Sequence, residues 1–194
     1  MERFIRSACV AVVVLFAMGC VGAGTEIMNR SQSSRTDVFS EVPENAPPVQ
    51  GLVDLIIKTS VKTHVEGRYP LESSGTYHGT TQYPFVLNID GQAVTWMVPG
   101  ELERTSHGVK EGEHGEGGEG VRYDLQRKIR LRPGTHTVFF ALPGDGVTEE
   151  ITVDLREGSH SVLEVVPVYR RYRYEGPRFD RGVDRLETKL KEGM

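Results

Sequence analysis

A chain of 194 residues, 38% hydrophobic, with two Cys and a formal net charge of −4, has room for one core plus tails. The mildly acidic balance gives no global attraction to nucleic acid, and so few Cys cannot build a disulfide framework. No phosphate loop, dinucleotide fingerprint or CxxC pair occurs along it.

Arg3 and Arg6 precede the apolar run SACVAVVVLFAMG. That run falls short of the roughly 20 apolar residues a spanning helix needs, so residues 1–19 are expected to be a cleaved signal peptide. Small Gly19 stands directly before Cys20, with Ala17 two further back. The stretch LFAMGC resembles the lipobox of bacterial lipoproteins, with Ala17 and Met18 standing where that family usually has Leu and a small residue. The resemblance implies diacylglycerol and an N-acyl lipid carried covalently by Cys20; no other cofactor is expected. Val21, rather than Asp, after the Cys implies the outer membrane, facing the periplasm. The alternative is an ordinary secretory signal cut near Ala23 or Gly24. Cys9 lies inside the signal, so the mature chain would keep one Cys and no intrachain disulfide, which agrees with acylation.

Residues 20–50 are expected to be a flexible tether. GAGTEIMNRSQSSRTD and EVPENAPPVQ show little apolar periodicity, and about 30 residues of this kind span on the order of 30 Å. A folded arm around Val38 and Phe39 is the alternative.

Residues 51–174 carry the period of strands. In LVDLIIKTSVKTHVEG, Ile57, Thr59, Val61 and Thr63 share one face against Lys58, Ser60 and Lys62. In YPFVLNIDGQAVTWMVPG, Asp90-Gly91 marks a two-residue hairpin turn, and Trp96 is expected in the core. Breaks at Pro133-Gly134, Gly144-Asp145-Gly146 and Glu157-Gly158 then divide the chain into four more strands. The prediction is an all-β domain, an antiparallel Ig-like sandwich of about seven strands. VLNIDGQAV, IRLRPGTHTVFFALPGDG and ITVDLREGSHSVLEV are similar in order to PEGA-type β-sandwich modules of bacterial envelope proteins, over about residues 83–168. The Pro-Glu-Gly-Ala motif itself is absent. The resemblance implies a binding or spacer role and brings no catalytic residues. In residues 175–194, Phe179, Val183, Leu186 and Leu190 recur at helical spacing and predict a short C-terminal amphipathic helix.

Two segments could carry chemistry. A mobile loop over residues 99–121 holds His107, Glu111, Glu113 and His114 among many Gly. Imidazole and carboxylate suit zinc, whereas ordering so many Gly opposes tight binding. The strand end Tyr169, Arg170, Arg171, Tyr172, Arg173 alternates rings and guanidinium groups, which suits an anionic lipid, a glycan or an acidic envelope protein. Arg there also guards an edge strand against pairing. Ser159-His160-Ser161 and Asp154 alternate faces on a strand and do not assemble a nucleophile with its base. The expected function is a lipid-anchored envelope protein with a non-catalytic binding or assembly module. A metal-binding periplasmic protein using loop 107–119, or a hydrolase, are the alternatives.

Overall fold

A computed structural model of the chain describes residues 22–104, 115–171 and 176–193. One helix, α1 (Ala23–Arg30), precedes nine strands: β1 (Phe39–Val42), β2 (Val53–Thr63), β3 (Gln82–Ile89), β4 (Gln92–Glu103), β5 (Gly120–Leu131), β6 (Gly134–Leu142), β7 (Val147–Leu155), β8 (His160–Tyr169) and β9 (Val183–Gly193). The class is all-β, as the alternating pattern predicts. Among the described residues no helix is long and apolar enough to cross a membrane.

The strands form one hydrogen-bonded order, β7-β6-β3-β4-β5-β2-β8-β9, with β1 added on β5. Every pairing is antiparallel except β2 with β8. Long β4 pairs with β3 through Pro99 and then with β5 from Gly100, so it joins two half-sheets. The terminal strands β7 and β9 pack together without pairing, and the sheet curls almost into a barrel. Inside lie Leu55, Ile57, Tyr83, Phe85, Leu87, Tyr123 and Leu125, each essentially without solvent exposure. Burial contributes about 1.5–3 kcal/mol for each such large apolar side chain. The β3–β4 turn is the expected one: Asp90 and Gly91 both have positive φ, at 48° and 93°, the twist a two-residue hairpin needs. Trp96 is 6% exposed and donates its indole N–H to Glu41.

Three expectations need correction. The strand count is nine among the described residues, because β1 and β9 add to the seven read from periodicity. Residues 22–50 do not form a free tether. Ile27 of α1 buries against Val86, Phe139 and Ala141, and the polar residues that suggested a linker instead fasten the segment. Asn88 donates to the Arg30 carbonyl, Ser33 bridges both backbone groups of Ala93, and the Gln92 side chain accepts from Val38 and Phe39. Beyond β1, Lys128 and Arg130 donate to the Ala46 and Pro47 carbonyls. The C-terminal helix is absent as well: residues 183–193 are β9, paired along β8. A register shift at Val168/Tyr169 pairs Val183 with Tyr169 and Arg185 with Val168. The extra residue, Asp184, changes the phase between Val183 and Leu186, which turns a strand into an apparent helical spacing.

Candidate functional site

The sequence-predicted residues scatter. Cys20 lies outside the described residues, as do His107, Glu111, Glu113 and His114, together with Tyr172 and Arg173. The ends of the predicted loop are strand instead, residues 99–103 in β4 and 120–121 in β5, and the residues beside the remainder are firmly held. Arg122 binds Glu103 and Glu116, and Lys62, with no solvent exposure, donates to the Glu116 and Gly118 carbonyls. Tyr169 corrects the binding-surface reading: it is 1% exposed, its hydroxyl accepting from the Lys62 N–H and donating to Glu116. A residue that points into the core at a strand end cannot greet a ligand, whereas Arg170 and Arg171 just beyond it are exposed. His136 is tied to Asp90 and the Arg132 carbonyl, His160 is exposed, and the Ser159 hydroxyl donates to the Arg156 carbonyl.

A different set of residues converges. His64 follows β2 directly, and Glu72 and His78 lie on the connection to β3, which makes a single 3₁₀ turn at Ser74–Thr76. That connection folds back on itself at Gly79, whose φ of 70° and close approach to the Val65–Glu66 backbone leave no space for a Cβ. The Gly79 N–H is held by the Thr63 hydroxyl. Opposite stands Asp145, from the β6–β7 turn.

His64 Nε2 lies 3.2 and 3.1 Å from the two Glu72 oxygens, and its Nδ1 is 2.9 Å from the Val65 carbonyl. His78 Nδ1 is 2.7 Å from Glu72 Oε1, and its Nε2 is 3.3 Å from Asp145 Oδ1. The Tyr83 hydroxyl donates to Asp145 Oδ2 at 2.6 Å, and the Val183 N–H to Oδ1 at 2.7 Å. The imidazole rings meet edge to face 5.0 Å apart, and Tyr69 packs edge-on to His64 at 4.9 Å. The His64 and His78 side chains are 1% and 8% exposed.

The electrostatics follow from this packing. Burial works against charge on His78, but the bonds to Asp145 and Glu72 outweigh it and raise the ring above its ordinary 6.5. Burial likewise pushes the Asp145 carboxyl up, and His78, Tyr83 and Val183 together bring it below the usual range. Tyr83 rises well above 10.0, through burial first and then the adjacent Asp145 charge.

The cluster opens on a cavity of about 280 Å³, whose far wall includes Arg170, Asp180 and Arg181. Asp180 is buried and clamped by Arg68 at 2.9 Å and Arg178 at 2.8 Å. Among the described residues His64, Glu72 and His78 are the one group of three ligand-type side chains gathered closely enough to share an ion, their ligand atoms within 4.8 Å of one another. Sequence reasoning passed over them because they are separated and unlike any compact ligand motif. The available signal was the length of the β2–β3 connection, residues 64–81, since connections beyond about 12–15 residues in a compact domain are commonly functional. No family model matches this chain, and no curated protein or solved structure is significantly similar to it.

Proposed function

We propose that the chain is a lipid-anchored envelope protein, acylated at Cys20 and held on the outer membrane facing the periplasm. Its module, two half-sheets of a sandwich joined through β4, binds or assembles with an envelope component and catalyses no reaction. The observation that carries this reading is the position of α1. Among the described residues the first element, α1, starts at Ala23 and is fastened to the outer face of β3 and β6 through Ile27, a short step in sequence behind the lipobox-like LFAMGC. Three residues from Cys20 to α1 reach about 10 Å at most. Lipid chains there would therefore hold the α1 side of the sheet close to the headgroups instead of on a long leash, and the several acyl chains of a bacterial lipoprotein make residence stable where a single chain is marginal. Arg170 and Arg171, exposed at the end of β8, give the module a cationic edge for an anionic glycan, lipid or acidic protein surface.

Membrane fractionation of Cys20→Ala tests the anchor. The variant is expected in the soluble fraction, or retained as the unprocessed precursor. A Cys20→Ala chain of mature size that still sediments with membranes removes the anchor from the reading.

A further inference from the structure

The hydrogen bonds around the two histidines fix which nitrogen of each ring is bare. His64 Nδ1 faces the Val65 carbonyl at 2.9 Å, a group that only accepts, so Nδ1 carries the proton and a neutral ring turns its Nε2 lone pair to Glu72. His78 Nε2 faces Asp145, whose oxygens already accept from Tyr83 and Val183. That carboxylate also needs a donor, so the neutral His78 ring turns its Nδ1 lone pair to Glu72. Each nitrogen lone pair then faces the same carboxylate at 2.7–3.2 Å, and lone pairs at that distance repel unless a cation lies among them.

Two protons or one metal ion meet that requirement. Two protons would place two imidazolium rings 5.0 Å apart in a largely buried site, their mutual repulsion offset by Glu72 and Asp145. One divalent ion serves all three donors at once. Two imidazoles and a carboxylate are a donor set that zinc takes, at about 2.0–2.2 Å to each atom, which separates tetrahedral ligands by about 3.3 Å. Seating the ion asks the nitrogen–oxygen pairs, now 2.7–3.2 Å apart, to part, and the two nitrogens, which lie within 4.8 Å of each other, to settle at a similar separation. The outer contacts are those that orient metal-binding histidines elsewhere: a backbone carbonyl on one ring and a carboxylate on the other. Asp145 is in turn held by a phenol and a backbone N–H, so the second ring cannot swing away.

We propose that His64 Nε2, His78 Nδ1 and the Glu72 carboxylate bind one divalent transition-metal ion, zinc by donor chemistry, with a fourth position open to the adjoining cavity. The site stands whether or not Cys20 carries a lipid, and the fractionation of Cys20→Ala does not bear on it.

The test uses the full mature chain, in a His107→Gln/His114→Gln background so that the loop histidines do not compete, with zinc chloride alone as the probe. Calorimetric titration is expected to give one equivalent bound. Glu72→Gln should weaken binding at least tenfold and His78→Gln about a hundredfold, with Trp96 fluorescence confirming that each variant is folded. A second measurement needs no substitution in the cluster. Long-range proton–nitrogen correlation spectra should show zinc displacing the signals of His64 Nε2 and His78 Nδ1, while His64 Nδ1 and His78 Nε2 keep their protons. Absence of uptake in tenfold excess zinc, with both rings doubly protonated and unchanged, overturns the proposal in favour of a proton-bridged cluster. Uptake of undiminished affinity in folded Glu72→Gln and His78→Gln overturns it equally, as does uptake that leaves those ring nitrogens unmoved.

Discussion

Replacing Asp54 by Ala removes the carboxylate that joins β2 to two cations of β5. Asp54 is 5% exposed. It accepts from Lys128 Nζ at 2.8 Å and from Arg130 at 2.7 and 3.0 Å, and these cationic side chains are 6% and 11% exposed. In the variant Lys128 keeps the Ala46 carbonyl at 2.8 Å and Arg130 keeps that of Pro47 at 2.6 Å, but no anion balances them. Removing one partner of a buried pair costs about 3–5 kcal/mol. Arg130 lies near enough to the surface to recruit water, which puts the expectation at the low end, about 3 kcal/mol. For a domain of this size that lowers the melting temperature by roughly 6–12 °C. Urea unfolding followed by Trp96 fluorescence measures it directly. Combining Asp54→Ala with Lys128→Met should recover at least about 1 kcal/mol, because an unpaired buried charge disappears with its partner. A loss below about 1 kcal/mol for Asp54→Ala, or strict additivity in the double variant, refutes the reasoning. The same pair predicts a pH dependence. The Arg130 hydrogen bond, opposed by burial and aided by Lys128, holds Asp54 below the usual carboxylate range. With a depressed folded pKa, the stabilisation is complete above the unfolded value of about 3.9 and is lost as pH falls through the folded one. The melting temperature of the parent chain should therefore drop more steeply than that of Asp54→Asn as pH falls through and below about 4.

Ile27→Ala, which strips the apolar contact of α1, should cost about 2–4 kcal/mol locally and accelerate tryptic cleavage after Arg30 and Arg35; cleavage as slow as in the parent chain shows that α1 is not held by Ile27. Tyr169→Phe leaves the buried Lys62 N–H without its acceptor and should destabilise by about 1–3 kcal/mol in urea melts, whereas a residue serving only a ligand surface leaves stability unchanged. Arg170→Gln/Arg171→Gln should weaken salt-sensitive binding to anionic vesicles without moving the melt, and unaltered binding would leave these residues only their edge-guarding role.

Much of the sheet was legible because its signals are local. Asp90-Gly91 needs positive φ at both positions, and the alternation of Ile57, Thr59 and Val61 describes one buried face. What was not legible depends on partners far along the chain. The 22–50 segment looks like a linker by composition, yet Ser33, Asn88 and Gln92 spend their polar groups on backbone across the β3–β4 hairpin. Polar residues signal solvent only when no backbone group awaits them. In β9 the apolar spacing imitates a helix, since the shift at Asp184 supplies one irregular step and Leu186, Thr188 and Leu190 then face Pro167, Val165 and Leu163 at period two.

The His64, Glu72 and His78 cluster was illegible for a related reason, and its position explains why it is polar at all. Among the described residues the sheet closes by packing of β7 on β9, which share no hydrogen-bonded ladder. At one end of that seam Asp145 from the β6–β7 turn reaches the first amide of β9, the Tyr83 hydroxyl of β3 and the His78 ring. An apolar side chain at 145 would leave a buried N–H and a buried phenol unsatisfied, each costing about 1–3 kcal/mol. Once a carboxylate is required there, burial demands a compensating donor, and His78 supplies it while turning its other nitrogen to Glu72 and His64. The polar chain therefore begins as a clasp for an almost closed sheet and ends in three convergent donors at a cavity. That makes closure of the fold and occupancy of the cluster two readouts of one hydrogen-bonded network.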